Sequence, residues 1–237
     1  MTRHLSIFLG LAAGLAPGGL HAQAVGDSGV FVVRRANDTV ATEKFARTAT
    51  ALEGTLSVRN AAATSQRYKA VLAPDGSVPL IEVTVKENAD SGRAKARIVS
   101  QSRIIFREDS AAVDEANNRG LRTFVFGTKR GAIPYLNLSF ALLEQAVRQA
   151  RARGPAMEVP LFNLGGGQTV EGKIASLGSD SVSLAIGSIE FHLRVDAGGH
   201  LLGGRIPAQD VVAERGRQLG AAVGSTSPDH FSPPSPD

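Results

Sequence analysis

Apolar and polar residues alternate with a period of two along much of this chain, which restricts those stretches to strands with one dry and one wet face. Leu52, Gly54, Leu56 and Val58 alternate with Glu53, Thr55, Ser57 and Arg59. Ile81, Val83 and Val85 alternate with Glu82, Thr84 and Lys86, and Ala94, Ala96 and Ile98 with Arg93, Lys95 and Arg97. The pattern returns late, with Val182, Leu184 and Ile186 against Ser181, Ser183 and Ala185, then Ile189, Phe191, Leu193 and Val195 against Glu190, His192 and Arg194. Strands of a parallel sheet, covered on both faces, would read as unbroken apolar runs, so the alternation predicts antiparallel pairing. Ala73-Pro74-Asp75-Gly76-Ser77 and Asp196-Ala197-Gly198-Gly199 supply turn chemistry that closes hairpins.

One segment departs from this period. Leu136, Phe140, Leu143, Val147 and Ala150 recur at three- and four-residue steps, with Glu144, Gln145, Arg148, Gln149 and Arg151 on the other side. The spacing predicts one amphipathic helix over about residues 136–153, capped by Asn137 or Ser139 and stopped by Gly154-Pro155. A single helix cannot cover both faces of a long sheet, so the sheet has to curl and pack partly on itself. The predicted fold is mainly β (α+β): a strongly curved antiparallel sheet or half-barrel of about 10–11 strands, with the helix against its concave side.

The two ends read differently from this body. Thr2-Arg3-His4, the apolar run Leu5 to Ala16, the break at Pro17-Gly18-Gly19 and Ala22-Gln23-Ala24 have the three-part layout of a cleavable signal peptide over residues 1–24. About 12 residues at about 1.5 Å rise reach only about 18 Å, against a hydrocarbon core of about 30 Å, so the run is too short to remain as a membrane helix. No other stretch approaches that apolarity, and no integral span is expected in the mature chain. The sequence contains no Cys, which excludes disulfides, thiolate metal sites and a lipid-modified N-terminal Cys. The expected location is the periplasm or the secreted medium. Residues 216–237, rich in Pro and Ser, predict a disordered tail and leave 25–215 as a single domain.

Few features carry chemistry. The formal net charge is +4, with the basic residues scattered over polar strand faces and few aromatics beside them, so no nucleic-acid partner is expected. Gly26-Asp27-Ser28-Gly29 matches the tetrapeptide around the nucleophile of trypsin-like proteases, but no His or Asp of a triad precedes it in the mature chain. It is read as a flexible lead-in to the first strand. His192 and His200 do not converge if residues 196–199 form a hairpin loop, and no H-E-x-x-H or H-x-H spacing occurs, so no metal is assigned. Glu108, Asp109, Asp114 and Glu115 read as a solvated acidic loop, and Gly165-Gly166-Gly167 lacks the Lys-Ser/Thr of a phosphate loop and reads as a mobile hinge. No catalytic residue and no cofactor is assigned, and a non-enzymatic role is expected.

The small inward residues Gly54, Ala70, Ala94 and Ala96 face Ala146 and Ala150 of the helix, and two outcomes stay open. Helix and sheet either pack closely or leave an apolar cavity between them. Leu56, Ala70, Ala94, Ala96, Ile98, Phe140, Leu143, Val147 and Phe191 would line such a cavity. In its order of elements and single late helix the chain resembles the Lol-type lipoprotein carriers of the bacterial envelope. That resemblance implies a lipid or acyl chain held between curled sheet and helix. The functional expectation is therefore a protein that binds a lipid or another hydrophobic small molecule. The alternative is a structural or interaction module that docks an envelope protein by its sheet edge or its tail.

Overall fold

In the computed structural model the described residues are 26–59, 63–87, 96–154 and 156–216. The expected leader, Ala94 and the expected tail beyond Gly216 lie outside them. Nine strands precede the helix: β1 (Asp27–Arg35), β2 (Asp38–Arg47), β3 (Ala51–Val58), β4 (Thr64–Val71), β5 (Leu80–Glu87), β6 (Arg97–Phe106), β7 (Ser110–Asn117), β8 (Gly120–Gly127) and β9 (Ile133–Tyr135). The helix α1 (Phe140–Arg151) is followed by β10 (Ala156–Asn163), β11 (Thr169–Ser176), β12 (Ser181–Ile186), β13 (Ile189–Val195), β14 (Leu201–Ile206) and β15 (Val211–Gly216).

All fifteen strands join one sheet in the order β8-β7-β6-β5-β4-β3-β2-β1-β15-β14-β13-β12-β11-β10-β9. Every pairing is antiparallel except β9 with β10, which the helix joins as a crossover. Laid flat at about 4.8 Å between strands, such a sheet would be about 67 Å wide. Its two edges, β8 and β9, are consecutive in the chain and separated by only residues 128–132. Six Cα steps reach about 20 Å at most, so the sheet has to curl nearly onto itself. Side-chain hydrogen bonds close the seam: Thr169 Oγ1 lies 2.7 Å from Thr128 Oγ1 and 3.3 Å from the Gly127 carbonyl.

The strand total exceeds the 10–11 expected, in part because β7 to β9 escape the alternation rule. β7 and β8 are half-wet on both faces, with Ala111 their only fully buried side chain, and β9 has three residues. Their residues Glu108 to Gly120, read as an acidic loop, form a hairpin instead. Asp114 accepts from Thr123 across it (2.7 Å), Glu115 accepts from Asn117 (3.0 Å), and Glu108 and Asp109 stand in the turn at its other end. Gly26-Asp27-Ser28-Gly29 is also corrected, since Asp27 to Gly29 already belong to β1. There Asp27 binds Arg215 of the last strand at 2.5 Å, and Arg215 lies over the Phe45 ring at 4.9 Å. The two ends of the domain, β1 and β15, are thus clasped side by side in the middle of the sheet.

The helix lies in the trough, against β2, β9, β10 and β14. Ser139 caps it by accepting from the Leu142 amide, as its position before the apolar spacing requires. Its polar side was expected to face water. Instead Glu144, Gln145 and Gln149 are buried together with Phe140, Leu143 and Val147, and Arg151 is exposed. Burial of this kind needs partners, and the sheet supplies them. Glu43 on β2 accepts from Tyr68 Oη (2.7 Å), Ser139 Oγ (2.5 Å) and the Ala141 amide (2.9 Å). Arg47 donates to Gln145 and, at 3.1 Å, to the Ala141 carbonyl. Glu144 accepts from the Leu201 amide (2.8 Å) and Arg215 (3.1 Å) and stands 3.4 Å from Arg47. Gln149 is buried with neither of its amide atoms partnered, and nothing in the structure explains it.

Burial pushes the Glu43 carboxyl above its usual 4.5, against the pull of its hydrogen bonds from Ser139, Tyr68 and the helix amides. A carboxyl raised on folding contributes stability that is complete below its unfolded pKa and is lost as pH climbs through the folded value. Stability is therefore expected to be lower at neutral pH than near the usual glutamate value of 4.5. The decline should be shallower in Glu43→Gln, with the remaining slope coming from Glu144, which burial raises likewise. Urea unfolding at the two pH values measures this, and an unchanged slope in the variant would contradict it.

Candidate functional site

Helix and sheet meet in a buried apolar core. Leu56, Ala70, Phe140, Leu143, Val147 and Phe191, six of the residues expected to line a cavity, are buried in one continuous core. None of them borders any of the three clefts described below. Gly54 does not leave a void, because the Tyr68 ring from the neighbouring strand occupies its place; a Cβ there would stand 2.3 Å from Tyr68 Cζ. Ala96 is exposed and Ile98 is 50% exposed, so neither lines the interior. The cause is a bulge between Val85 and Lys86, after which Ile98 pairs with Lys86 instead of continuing the inward phase set by Ile104. Ala94 lies outside the described residues.

Open apolar surface occurs elsewhere, at the β6–β8 wing of the trough, beyond the strands against which the helix mainly packs. A cleft of about 220 Å³ runs along the seam between this wing and the β10–β11 turn. Ile104, Val113, Phe124, Phe126, Phe162 and Leu164 make its apolar walls, while Ser102 and Glu115 give it a polar far end. Phe126 and Phe162 meet edge to face with ring centroids 6.1 Å apart, and Phe124 stacks beside Phe126 at 5.9 Å. These inward positions follow from register: Phe124 pairs with Val113 and Phe126 with the buried Ala111. Gly165-Gly166-Gly167, expected to be a hinge, is the hairpin turn that closes one wall. Gly167 has φ +69°, and a Cβ on it would come within 2.6 Å of the Phe126 ring, so both backbone and packing require Gly there.

A second cleft, of about 440 Å³ and mainly polar, opens on the same rim. It is bordered by the turns after β4 and β6, the β8–β9 link and the residues following the helix, including Asp75, Arg107, Glu108, Arg130 and Arg153. Phe106 forms part of its wall and meets Phe162 of the seam edge to face at 5.3 Å. A third groove, of about 430 Å³, lies along β13 to β15 and includes His192, Arg194, Arg205 and Glu214. Leu177, Leu193, Val212 and Ala213 give that groove a mainly apolar lining, but it lacks the Phe side chains that gather at the seam.

The histidines stay apart. His192 approaches Glu190 at 3.3 Å, whereas His200 binds Asp196 at 2.9 Å. Among the described residues no group of three His, Asp or Glu side chains is placed to hold a metal ion. No helix of the described residues is long and apolar enough to cross a membrane.

Sequence reasoning missed the seam because its residues come from four segments, β6, β7, β8 and the β10–β11 turn, and only the curl of the sheet brings the last against the other three. The Phe-x-Phe of Phe124 and Phe126 was the available signal: two aromatics on one face of a strand whose other positions are polar or exposed.

No family model matches the chain, and no curated protein matches it. Two solved structures share its fold. A DUF1089 family protein from Pseudomonas aeruginosa superposes with a TM-score of 0.53 at 11% identity, covering 77% of this chain and 94% of its own. A β-barrel-like protein of domain family DUF1849 from Brucella abortus superposes with a TM-score of 0.50, also at 11% identity, over 82% of this chain and 97% of its own. The chain therefore has a β-barrel-like fold built from one strongly curved, almost wholly antiparallel sheet. Neither of these two structures is described as a lipoprotein carrier.

Proposed function

We propose that this is an exported protein of the bacterial envelope that is not an enzyme and that binds the hydrophobic part of a lipid-like ligand in the seam cleft. The N-terminal leader supports export. The observation that carries the binding reading is the contrast between a buried core and an open aromatic seam. Three Phe side chains gather at one rim of the trough, and Phe124 remains 37% exposed. At about 220 Å³ the cleft is smaller than the roughly 300–1,000 Å³ of a drug-sized site, so it takes part of an acyl chain and leaves the rest outside.

The test is native mass spectrometry of the protein purified from its own host, together with titration of a fluorescent fatty acid. A co-purifying lipid-like mass and saturable probe binding are expected. Phe124→Asp should weaken probe binding about 10- to 100-fold, the value of about 1.5–3 kcal/mol for a buried aromatic, with little effect on folding because the ring is partly exposed. Unchanged binding in that variant would remove the seam as the site. No binding by the natural protein would remove the function.

Strand β8 favours a second reading, docking of an envelope protein. It is a sheet edge of eight residues, with Leu121 and Val125 exposed on its outer side. Val125→Lys should abolish such docking while leaving fatty-acid binding intact, and a pull-down from envelope extract reads it.

A further inference from the structure

The seam holds an apolar group, and the polar cleft beside it says what that group is attached to. Arg107 follows β6, Arg130 lies in the β8–β9 link and Arg153 follows the helix, yet the curl of the sheet brings all three to one cleft. Two carboxylates share it, and both are engaged. Glu108 stands 3.6 Å from Arg130, and Asp75 accepts from the Ser77 amide (2.9 Å) and hydroxyl (2.6 Å). Among the described residues neither Arg107 nor Arg153 has a carboxylate within ion-pair distance. The cleft thus carries three guanidiniums against two occupied carboxylates, a surplus of positive charge with two planar donor groups uncommitted. Its only aromatic wall, Phe106, packs on Phe162, which is also a wall of the seam. The Phe106–Phe162 pair is therefore the wall between the two clefts, and a head among the arginines would lie next to a tail between Phe124, Phe126 and Phe162.

We propose that the Arg107–Arg130–Arg153 cleft receives the anionic headgroup, carboxylate or phosphate, of an amphiphile whose chain lies in the seam. The assignment rests on the seam reading above and adds the headgroup to it. Arginine suits this role because its fixed fork of donors matches both oxyanions, whereas a neutral polar head would leave the surplus charge uncompensated.

Calorimetric titration with decanoate, decyl phosphate, decanol and inorganic phosphate tests it, on the natural protein and on an Arg107→Gln, Arg153→Gln double variant. Both positions are exposed, so the variant should keep its fold, which circular dichroism checks. One or both of the anionic amphiphiles should bind at least about tenfold more tightly than decanol and lose most of that advantage in high salt. The double variant should bind them about as weakly as decanol, and decanol itself should bind unchanged. Equal binding of all three chains by the natural protein would overturn the headgroup assignment while sparing the seam. Binding of none of them would overturn both. Inorganic phosphate binding as tightly as decyl phosphate would make the cleft an ion site unconnected to the seam and would also overturn the proposal.

Discussion

Glu144→Ala is expected to destabilise the protein by about 3–5 kcal/mol, the cost of leaving buried charge without its partner. Glu144 is completely buried, and its carboxylate lies between Arg47 and Arg215, themselves nearly buried. Removing it strands the Arg47 guanidinium in the core and also deprives the Leu201 amide of its acceptor. Arg215 keeps Asp27, whereas Arg47 is left with Gln145 and a helix carbonyl, neither of which carries a charge. Glu144→Gln offers the control: it can still accept from Leu201 but not neutralise the arginines, so its loss should be smaller. Urea unfolding at neutral pH measures both. A loss below about 1 kcal/mol for Glu144→Ala, the usual value of an exposed pair, would mean that the carboxylate does not fix the helix in the trough.

The second large effect is expected at Gly54, where a single added methyl group should cost about 3 kcal/mol. The new Cβ would lie 2.3 Å from both Cζ and Oη of Tyr68, and the ring has no free space to enter because it is wholly buried. Overpacking of this kind costs about 1–3 kcal/mol, and displacing the hydroxyl that Glu43 accepts adds about 1–3 kcal/mol more. Tyr68→Phe alone should lose only the second part, which a thermal melt resolves. If Gly54→Ala melts with the natural protein, Tyr68 is not held where this packing requires.

Much of the fold was legible because it depends on short-range periodicity. Leu52 to Val58, Ile81 to Val85, Val182 to Ile186 and Ile189 to Val195 fold as the strands their alternation predicts, and residues 73–77 and 196–199 close the expected hairpins. The single helix was legible for the same reason, as was its Ser139 cap. Its environment was not. Glu144, Gln145 and Gln149 have the spacing of a solvated face, and only the arrival of β2, β14 and β15 on that face turns it inward. The site was less legible than the fold. Leu56, Phe140 and Phe191 were singled out as cavity lining because inward position is readable from period, whereas whether an inward position borders a void depends on what stands opposite. At Gly54 the answer was Tyr68, fourteen residues away in sequence and directly across one strand pair.

By itself, the sequence determined the local elements: strand or helix, which residues alternate, where turns fall, and that a long sheet with one helix must curl. Alternation and capping act over two to four residues and leave their record in the chain. The tertiary structure alone decided how far the sheet closes, that β1 and β15 meet at its centre, that the helix is enclosed on its charged side, and that three phenylalanines and three arginines from distant segments share one rim. Those outcomes depend on which strand ends come together when fifteen strands coil, and a single bulge, as at Val85 and Lys86, is enough to move a side chain such as Ile98 from the inner face to the outer.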